Sequence, residues 1–506
     1  MTETKQSELF FGLVGAVGTN FNRVIEVLQN CLGKVSFKTE PLKLSDFFSE
    51  IETYDTILKE SPEEQRIATH MEAGDKFRED TGLGDAVALL AINKIKKIRI
   101  EYSGADKKPL CKVAYVFNSL KHPKEVIALR KVYGAAFMLI SVYSPVEVRK
   151  QNLAKQIAKS HHDAQFENYY DKAEALIKRD QSEADVRPLG QNVRDTFPLG
   201  DVFIDSSDEE KLEQSLDRFV ELLFGNTFHT PSTDEFGMFV AHASARRSSS
   251  LARQVGAVII NKNGDIVAAG TNEVPRLEGG VHTADDKPDL RNWRKGGDPS
   301  DERKIQVLGD ILTRLNELGY IKEQNVDKLV KEIKPKIKNA HLMNLIEFNR
   351  EVHAEMAAIT SAARNTVSVN DCTMYTTTFP CHECAKHIIA SGIKNVTYIE
   401  PYHKSLAIPL YSDFIQVDGA SDSTDKVKFR AFVGVAPRRY LGLFEKVDRK
   451  DDEGKVIPWI NTAASPRFYE PSRHYILRES EAVELLRNKL EDKGVKLKYP
   501  LAEQQN

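Results

Sequence analysis

Cysteine is scarce in this chain: five residues in 506, and an odd number. That argues against a disulfide framework and for a reducing compartment. A basic surplus is missing as well, since 71 Lys and Arg stand against 74 Asp and Glu for a formal net charge of -3. Wholesale binding to a nucleic-acid backbone is thereby disfavoured, although a local basic groove is not. Long apolar runs are also lacking. The stretch LFFGLVGAVG is too short to span a bilayer, and the polar opening MTETKQSE lacks the basic-then-apolar order of a secretory signal. No membrane association and a cytoplasmic location are expected. No internal repeat and no low-complexity tract stands out.

What is present is the composition of a globular protein, 41% hydrophobic and 29% charged, in a chain long enough for two or three domains. Buried-strand runs at Leu9 to Val14, Val113 to Phe117 and Ala135 to Tyr143 alternate with helical patterns, which predicts an α/β fold with a mostly parallel sheet. A further strand falls in GDVFID, followed by a helix closing near Phe224. The polar, turn-forming GNTFHTPSTDEF reads as a linker. We therefore expect one domain over 1–225 and a second over 226–506. The second opens with a helix over Asp234 to Leu251 and a hairpin turning at Asn263-Gly264. A long charged insertion follows at about 277–338. Next come a helix with HAEMAAI, the strand CTMYTTT, a helix from PCHEC and the strand NVTYI.

Two of the five cysteines, Cys381 and Cys384, are three apart and directly follow Pro380. On the first turn of a helix both sulfurs project to one side, Pro380 suits the first helical position, and the helix start favours thiolates. His353 supplies a neutral third ligand. Two thiolates and an imidazole around Zn²⁺ sum to zero charge and leave a fourth tetrahedral position for water, as a catalytic site requires. Glu355, two residues beyond His353, can stand beside the metal without ligating it and exchange protons with that water. A lone C-x-x-C equally suits half a structural zinc knuckle or a redox pair, and a lone H-x-E is ordinary helix surface. No second C-x-x-C exists here, and Cys31, Cys111 and Cys372 lie singly. The combination, H-x-E and then P-C-x-x-C, is the pattern of zinc nucleobase deaminases.

From DEFGMFVAHASARRSSSLARQVGAVIINKNGDIVAAGTNEVP to TTTFPCHECAKHIIASGIKNVTYIEPY the chain resembles the cytidine/deoxycytidylate deaminase family, and within it the deoxycytidylate deaminases. The resemblance implies an α/β/α domain and one Zn²⁺ per chain on His353, Cys381 and Cys384. It also implies Glu355 as the proton shuttle and Asn272 as a contact to the nucleotide's sugar. Some members carry a second zinc on additional cysteines, which the insertion lacks. Arg246, Arg247, Arg253 and Arg276, with Lys404 and Ser405, are candidates for a phosphate pocket.

At the front, GAVGTNFN lies between a strand and a helix, where a phosphate-binding loop belongs. Gly15 matches the first glycine of G-x-x-x-x-G-K-[ST]. Asn20 replaces the second, Phe21 the lysine, and Asn22 the hydroxyl residue. Gly15, Gly18, Thr19 and Asn20 are thus candidate nucleotide-binding residues of a loop unsuited to phosphoryl transfer. The surrounding pattern resembles small P-loop nucleotide kinases. Such a domain ahead of a deaminase with a long insertion resembles the bacterial anti-phage deoxycytidylate deaminases. That architecture implies deamination of dCMP, dCTP or both, a homo-oligomer and often a hexamer, and restraint through the front domain by a nucleotide effector or an RNA inhibitor. Competing expectations are a housekeeping dCMP deaminase feeding thymidylate synthesis, an editing deaminase, and a non-catalytic zinc-stabilised module.

Overall fold

The computed structural model describes residues 8–105, 108–187, 189–321, 325–337, 340–402, 405–417, 425–445, 448–459, 466–468 and 472–502. The chain divides into two compact units, Met1–Glu235 with Val433–Asn506, and Phe236–Phe432. Its strands are β1 (Leu9–Val14), β2 (Lys38–Lys43), β3 (Val113–Asn118), β4 (Phe137–Tyr143), β5 (Val202–Asp205), β6 (Gly256–Ile260), β7 (Ile266–Thr271), β8 (Thr373–Thr378), β9 (Asn395–Glu400), β10 (Ile415–Val417), β11 (Val427–Ala431) and β12 (Gly434–Val435). Among the described residues no helix is long and apolar enough to cross a membrane.

The first unit is built on a sheet of order β12-β5-β4-β1-β3-β2, parallel except for β12. Strand β1, LFFGLV, is buried throughout, as a central strand covered on both faces must be. The polar β2, KTEPLK, carries no apolar pattern and was not foreseen. It lies at the sheet edge, where Pro41 sacrifices no ladder bond that a neighbour needs.

The assignment of everything after residue 226 to one domain is revised for 433–506, which packs with the first unit. Tyr475, Val483, Leu486 and Leu490 of the helix Ser472–Lys493 enter the same core as Phe10, Tyr115 and Tyr133. Charge fixes this return. The buried Arg99 bonds Glu8 at 2.7 Å and Glu479 at 2.9 Å, and the Tyr475 hydroxyl donates to Glu8 at 2.8 Å. A guanidinium removed from water persists where carboxylates surround it, so the start of the chain, the helix Ala86–Ser103 and the last helix are tied at one point.

The second unit has a sheet of order β10-β11-β9-β8-β6-β7, with β6 antiparallel to β7 and β8 and the remaining pairs parallel. The hairpin between β6 and β7 turns through a five-residue loop, 261–265. Asn261 accepts the Asn263 and Asp265 amides, and Gly264 takes φ +89°. The expected helix after the linker is shorter than its pattern, Thr233–Ala245. Two glycines set the layer spacing. A Cβ on Gly256 would lie 2.0 Å from the Ala241 carbonyl, and one on Gly270 would lie 2.1 Å from the Ala354 carbonyl. Gly270 pairs with Ala257, so the two glycines face opposite sides of the sheet. One helix therefore lies close on each face, the second being Ala354–Arg364.

Candidate metal centre

His353 ends an extended segment and stands at the N-cap of the helix Ala354–Arg364 without a side-chain capping bond, while Cys381 stands at the N-cap of the helix His382–Ala390 and caps it through its sulfur. Pro380 consequently stands before the cap rather than in the first helical position that its missing donor suggests. The Cys381 sulfur explains the shift, for it accepts the Cys384 amide at 3.4 Å and so replaces the usual capping oxygen.

His353 Nδ1 lies 3.3 Å from Cys381 Sγ and 3.4 Å from Cys384 Sγ, and the three atoms are all within 4.8 Å of one another. Tetrahedral zinc, with Zn–S of ~2.3 Å and Zn–N of ~2.05 Å, sets neighbouring N and S ligands roughly 3.5 Å apart. The donor set therefore fits one zinc ion in size as well as in chemistry. With a metal on Nδ1, the ring proton belongs on Nε2. The Asn349 side-chain amide lies 3.2 Å from Nε2 and holds the ring in that orientation when it turns its oxygen to the N–H. Glu355 occupies the first turn of its helix and is buried, with the Cys384 thiol donating to Oε2 at 3.4 Å.

A cavity of about 490 Å³ opens on this centre, with His353, Glu355, Cys381 and Asn272 in its wall. Asn272 accepts the Val255 amide at 2.7 Å and donates to the Arg253 carbonyl at 2.8 Å. Its amide thus braces the segment before β6 and keeps one N–H spare. Of the four candidate arginines, Arg253 lines this cavity, in cation–π contact with Tyr402 at 5.7 Å. Arg246 bonds Gln254 at 3.1 Å, Arg247 lines a separate and smaller cavity, and Arg276 pairs with Asp286 at 3.2 Å. Ser405 donates to the Pro380 carbonyl at 2.7 Å and so supports the turn before Cys381, while Lys404 lies outside the described residues. Sequence reasoning missed Asp298, Asp301 and Lys304, which the inserted segment contributes to the wall. A faint signal was there: Asp298-Pro299 is a helix-start pair, and it does cap the helix Pro299–Glu317.

A family model of the cytidine and deoxycytidylate deaminase zinc-binding region matches residues 231–400. The deoxycytidylate deaminase of Enterobacteria phage T4 is 32% identical over 166 residues, 33% of this chain and 77% of that protein. The deoxycytidylate deaminase of Mus musculus is 31% identical over 172 residues, 34% of this chain and 67% of that protein. The crystal structure of dCMP deaminase from the cyanophage S-TIM5 in apo form aligns with 40% of this chain and 99% of its own, at 18% identity and a TM-score of 0.22. The chain belongs to the cytidine and deoxycytidylate deaminase family.

In this family member the metal-free centre has an uneven charge distribution. The Cys384 thiol, and after it the His353 ring, bring Cys381 down to about 4 against the opposing effect of burial. The bond to Cys381 holds His353 up at about 9, again against burial. Cys384 is pushed well above the usual thiol range by its bond to Cys381, by burial and by Glu355. Burial, then the Cys381 charge, raises Glu355. A carboxyl held high in this way is suited to accept a proton and release it again.

The front loop of the deaminase is turned in on itself. Thr19 Oγ1 donates to the Ala16 carbonyl at 2.7 Å, and Asn20 accepts the Arg23 amide at 3.2 Å as the helix cap. Gly18 takes φ +87° beneath the Arg149 carbonyl, and Lys121 reaches the Gly15 carbonyl at 3.3 Å. The Val17 amide donates to Asp180 at 2.8 Å.

Proposed function

We propose that this chain is a zinc-dependent hydrolase that converts deoxycytidine nucleotides, dCMP and dCTP, to deoxyuridine nucleotides and ammonia. The observation that carries the reading is the His353 Nδ1, Cys381 and Cys384 cluster, with the buried Glu355 carboxyl against it, in the wall of one cavity. The relatives named deoxycytidylate deaminase support the substrate class. His353, Cys381 and Cys384 hold the metal, which when bound supplies a water activated for attack near neutral pH. Glu355 takes a proton from that water and delivers it to N3 of cytosine as C4 is attacked. The same carboxyl then takes the proton of the hydroxyl now on C4 and passes it to the amino group, and the C–N bond breaks as the C4 carbonyl forms. One water enters and one ammonia leaves. The spare N–H of Asn272 contacts the sugar, Phe379 and Tyr402 flank the base, and Arg253 with Lys304 meets the phosphate.

The physiological reading is depletion of the deoxycytidine nucleotide pool in anti-phage defence. Support for it comes from the additional first unit, which deamination itself does not require. That unit is the site of restraint by a nucleotide effector or an RNA, and a homo-oligomer, with a hexamer as the expected state, completes the reading. A housekeeping dCMP deaminase would have the same site chemistry. Full-length, zinc-loaded protein is to be incubated with dCMP, dCTP, CMP and a cytosine-containing oligonucleotide, and uracil product and ammonia measured. Turnover of dCMP or dCTP is expected. Turnover of the oligonucleotide alone, or of nothing with or without added nucleotides, refutes the proposal, while turnover of dCMP without dCTP favours the housekeeping role.

A further inference from the structure

The first unit holds a cavity of its own, about 210 Å³, at the carboxyl ends of β1, β2 and β3. There the chain reverses its direction of travel across the sheet, and open α/β sheets take ligands at such a reversal. We propose that this cavity binds an uncharged, planar nitrogen heterocycle of the nucleoside class, independently of the chemistry at the metal centre.

The hydrogen-bonding inventory of the wall carries the argument. Gln191 is 4% exposed, and its Oε1 has no partner among the described residues, nor has the Ser119 hydroxyl. Both line the cavity. His70, also in the wall, has Nδ1 2.7 Å from the Arg66 carbonyl and Nε2 3.9 Å from a Glu60 carboxylate oxygen, so the chain itself already orients its ring. An unmatched carbonyl oxygen and an unmatched hydroxyl call for a ligand bearing N–H groups, and buried polar atoms rarely go unmatched. Phe48, Leu44, Met71 and Val87 supply apolar surface for the ligand's flat faces.

An anion is the poorer match, because the cations of the wall are already neutralised. Arg66 makes two bonds of 2.7 Å to Glu63, Arg78 bonds Asp75 at 2.7 Å, and Lys43 lies 2.7 Å from Asp46. Lys121 lies 3.4 Å from Asp180. That same carboxylate takes the Val17 amide at 2.8 Å, so at the glycine turn the chain's own side chain stands where a phosphate oxygen would be held. The recognition left to this cavity is therefore of a base and its sugar.

The test titrates full-length, zinc-loaded protein calorimetrically with thymidine and with 2′-deoxyguanosine, neither of which offers the metal centre a 4-amino group to remove. At least one is expected to bind. Gln191→Leu should weaken it about tenfold, the loss expected when a buried N–H faces hydrocarbon. Ser119→Ala should also weaken it and serves alone if the leucine variant does not fold. Glu355→Gln should leave it unchanged, and inorganic tripolyphosphate should not displace it. The proposal fails if neither nucleoside binds at millimolar concentration, or if binding is undiminished in the cavity variants. It also fails if Glu355→Gln abolishes binding, which would locate the probe at the metal centre, or if tripolyphosphate competes, which would locate it at the glycine turn.

Discussion

Zinc loading of this centre is predicted to expel two protons from its three ligands at neutral pH. In the metal-free protein Cys381, brought down to about 4, is already a thiolate, whereas His353, held up at about 9, carries a proton. Cys384, pushed well above the thiol range, carries another. The metal needs a bare Nδ1 and two thiolates, so one proton leaves His353 and one leaves Cys384. Removing the histidine proton at pH 7 spans about two units, which costs roughly 2.7 kcal/mol and weakens zinc about 100-fold. The sign follows from mass action: zinc binding strengthens as pH rises. Between the thiolate at about 4 and the imidazolium at about 9, two bound protons compete with the metal. The apparent association constant should therefore rise about 100-fold per pH unit over that window. Calorimetric titration in buffers of different ionisation enthalpy counts the protons directly. Chelator competition across pH gives the slope. Both belong on the Glu355→Gln variant, which keeps that carboxyl out of the count. A release of one proton or none, with a correspondingly shallow slope, would refute the charge distribution described for this site.

Glu355→Gln preserves side-chain size and removes the proton carrier, so kcat should fall by about 10²–10⁴ with zinc content unchanged by elemental analysis; near-normal turnover would end the shuttle role. Gly270→Ala places a Cβ 2.1 Å from the Ala354 carbonyl and forces the helix start bearing His353 and Glu355 off the sheet. It should cost about 1–3 kcal/mol and weaken zinc retention against a chelator, whereas an unchanged melting profile would contradict the packing described. Arg99→Met leaves Glu8 and Glu479 buried without their cation. Chemical denaturation followed by circular dichroism should show a loss of about 3–5 kcal/mol, and adding Glu479→Gln should recover part of it; a neutral single variant would remove the charge cluster as the tie for the last helix.

What could be read from the residues tracks how local each constraint is. The spacing of His353, Glu355, Cys381 and Cys384 is a short-range pattern tied to two helix starts, and the fold brings the three candidate ligands together. The buried runs of β1, β3 and β4 were likewise legible, because a covered parallel strand has little but apolar residues to show. Clustering of basic residues in the sequence was a weaker guide. Arg246 and Arg276 are taken up by their own neighbours, while Lys304 arrives at the cavity from far along an insertion whose charge pattern says nothing of where it folds. The return of 433–506 to the first unit was illegible for the same reason. It depends on Glu8, Arg99 and Glu479 meeting across the length of the chain, and each alone reads as a surface charge.

The placement of a candidate ligand at the cap of each of two helices has an electrostatic consequence for catalysis. Each helix start carries roughly half a positive charge, and two of them converging on a dication would oppose its binding. Two thiolates alone do not offset this, since with Zn²⁺ they sum to zero and leave the helix ends uncompensated. The Glu355 carboxylate supplies the balance, bringing metal, sulfurs, carboxylate and the two helix ends to a total near zero. In the proposed reaction, where Glu355 accepts a proton from water, the site gains a positive charge at the moment the water oxygen gains a negative one. The helix ends then face the developing anion with no carboxylate to screen them, so in the proposed reaction the place of Glu355 in the first turn of its helix favours proton transfer and attack together rather than either step alone.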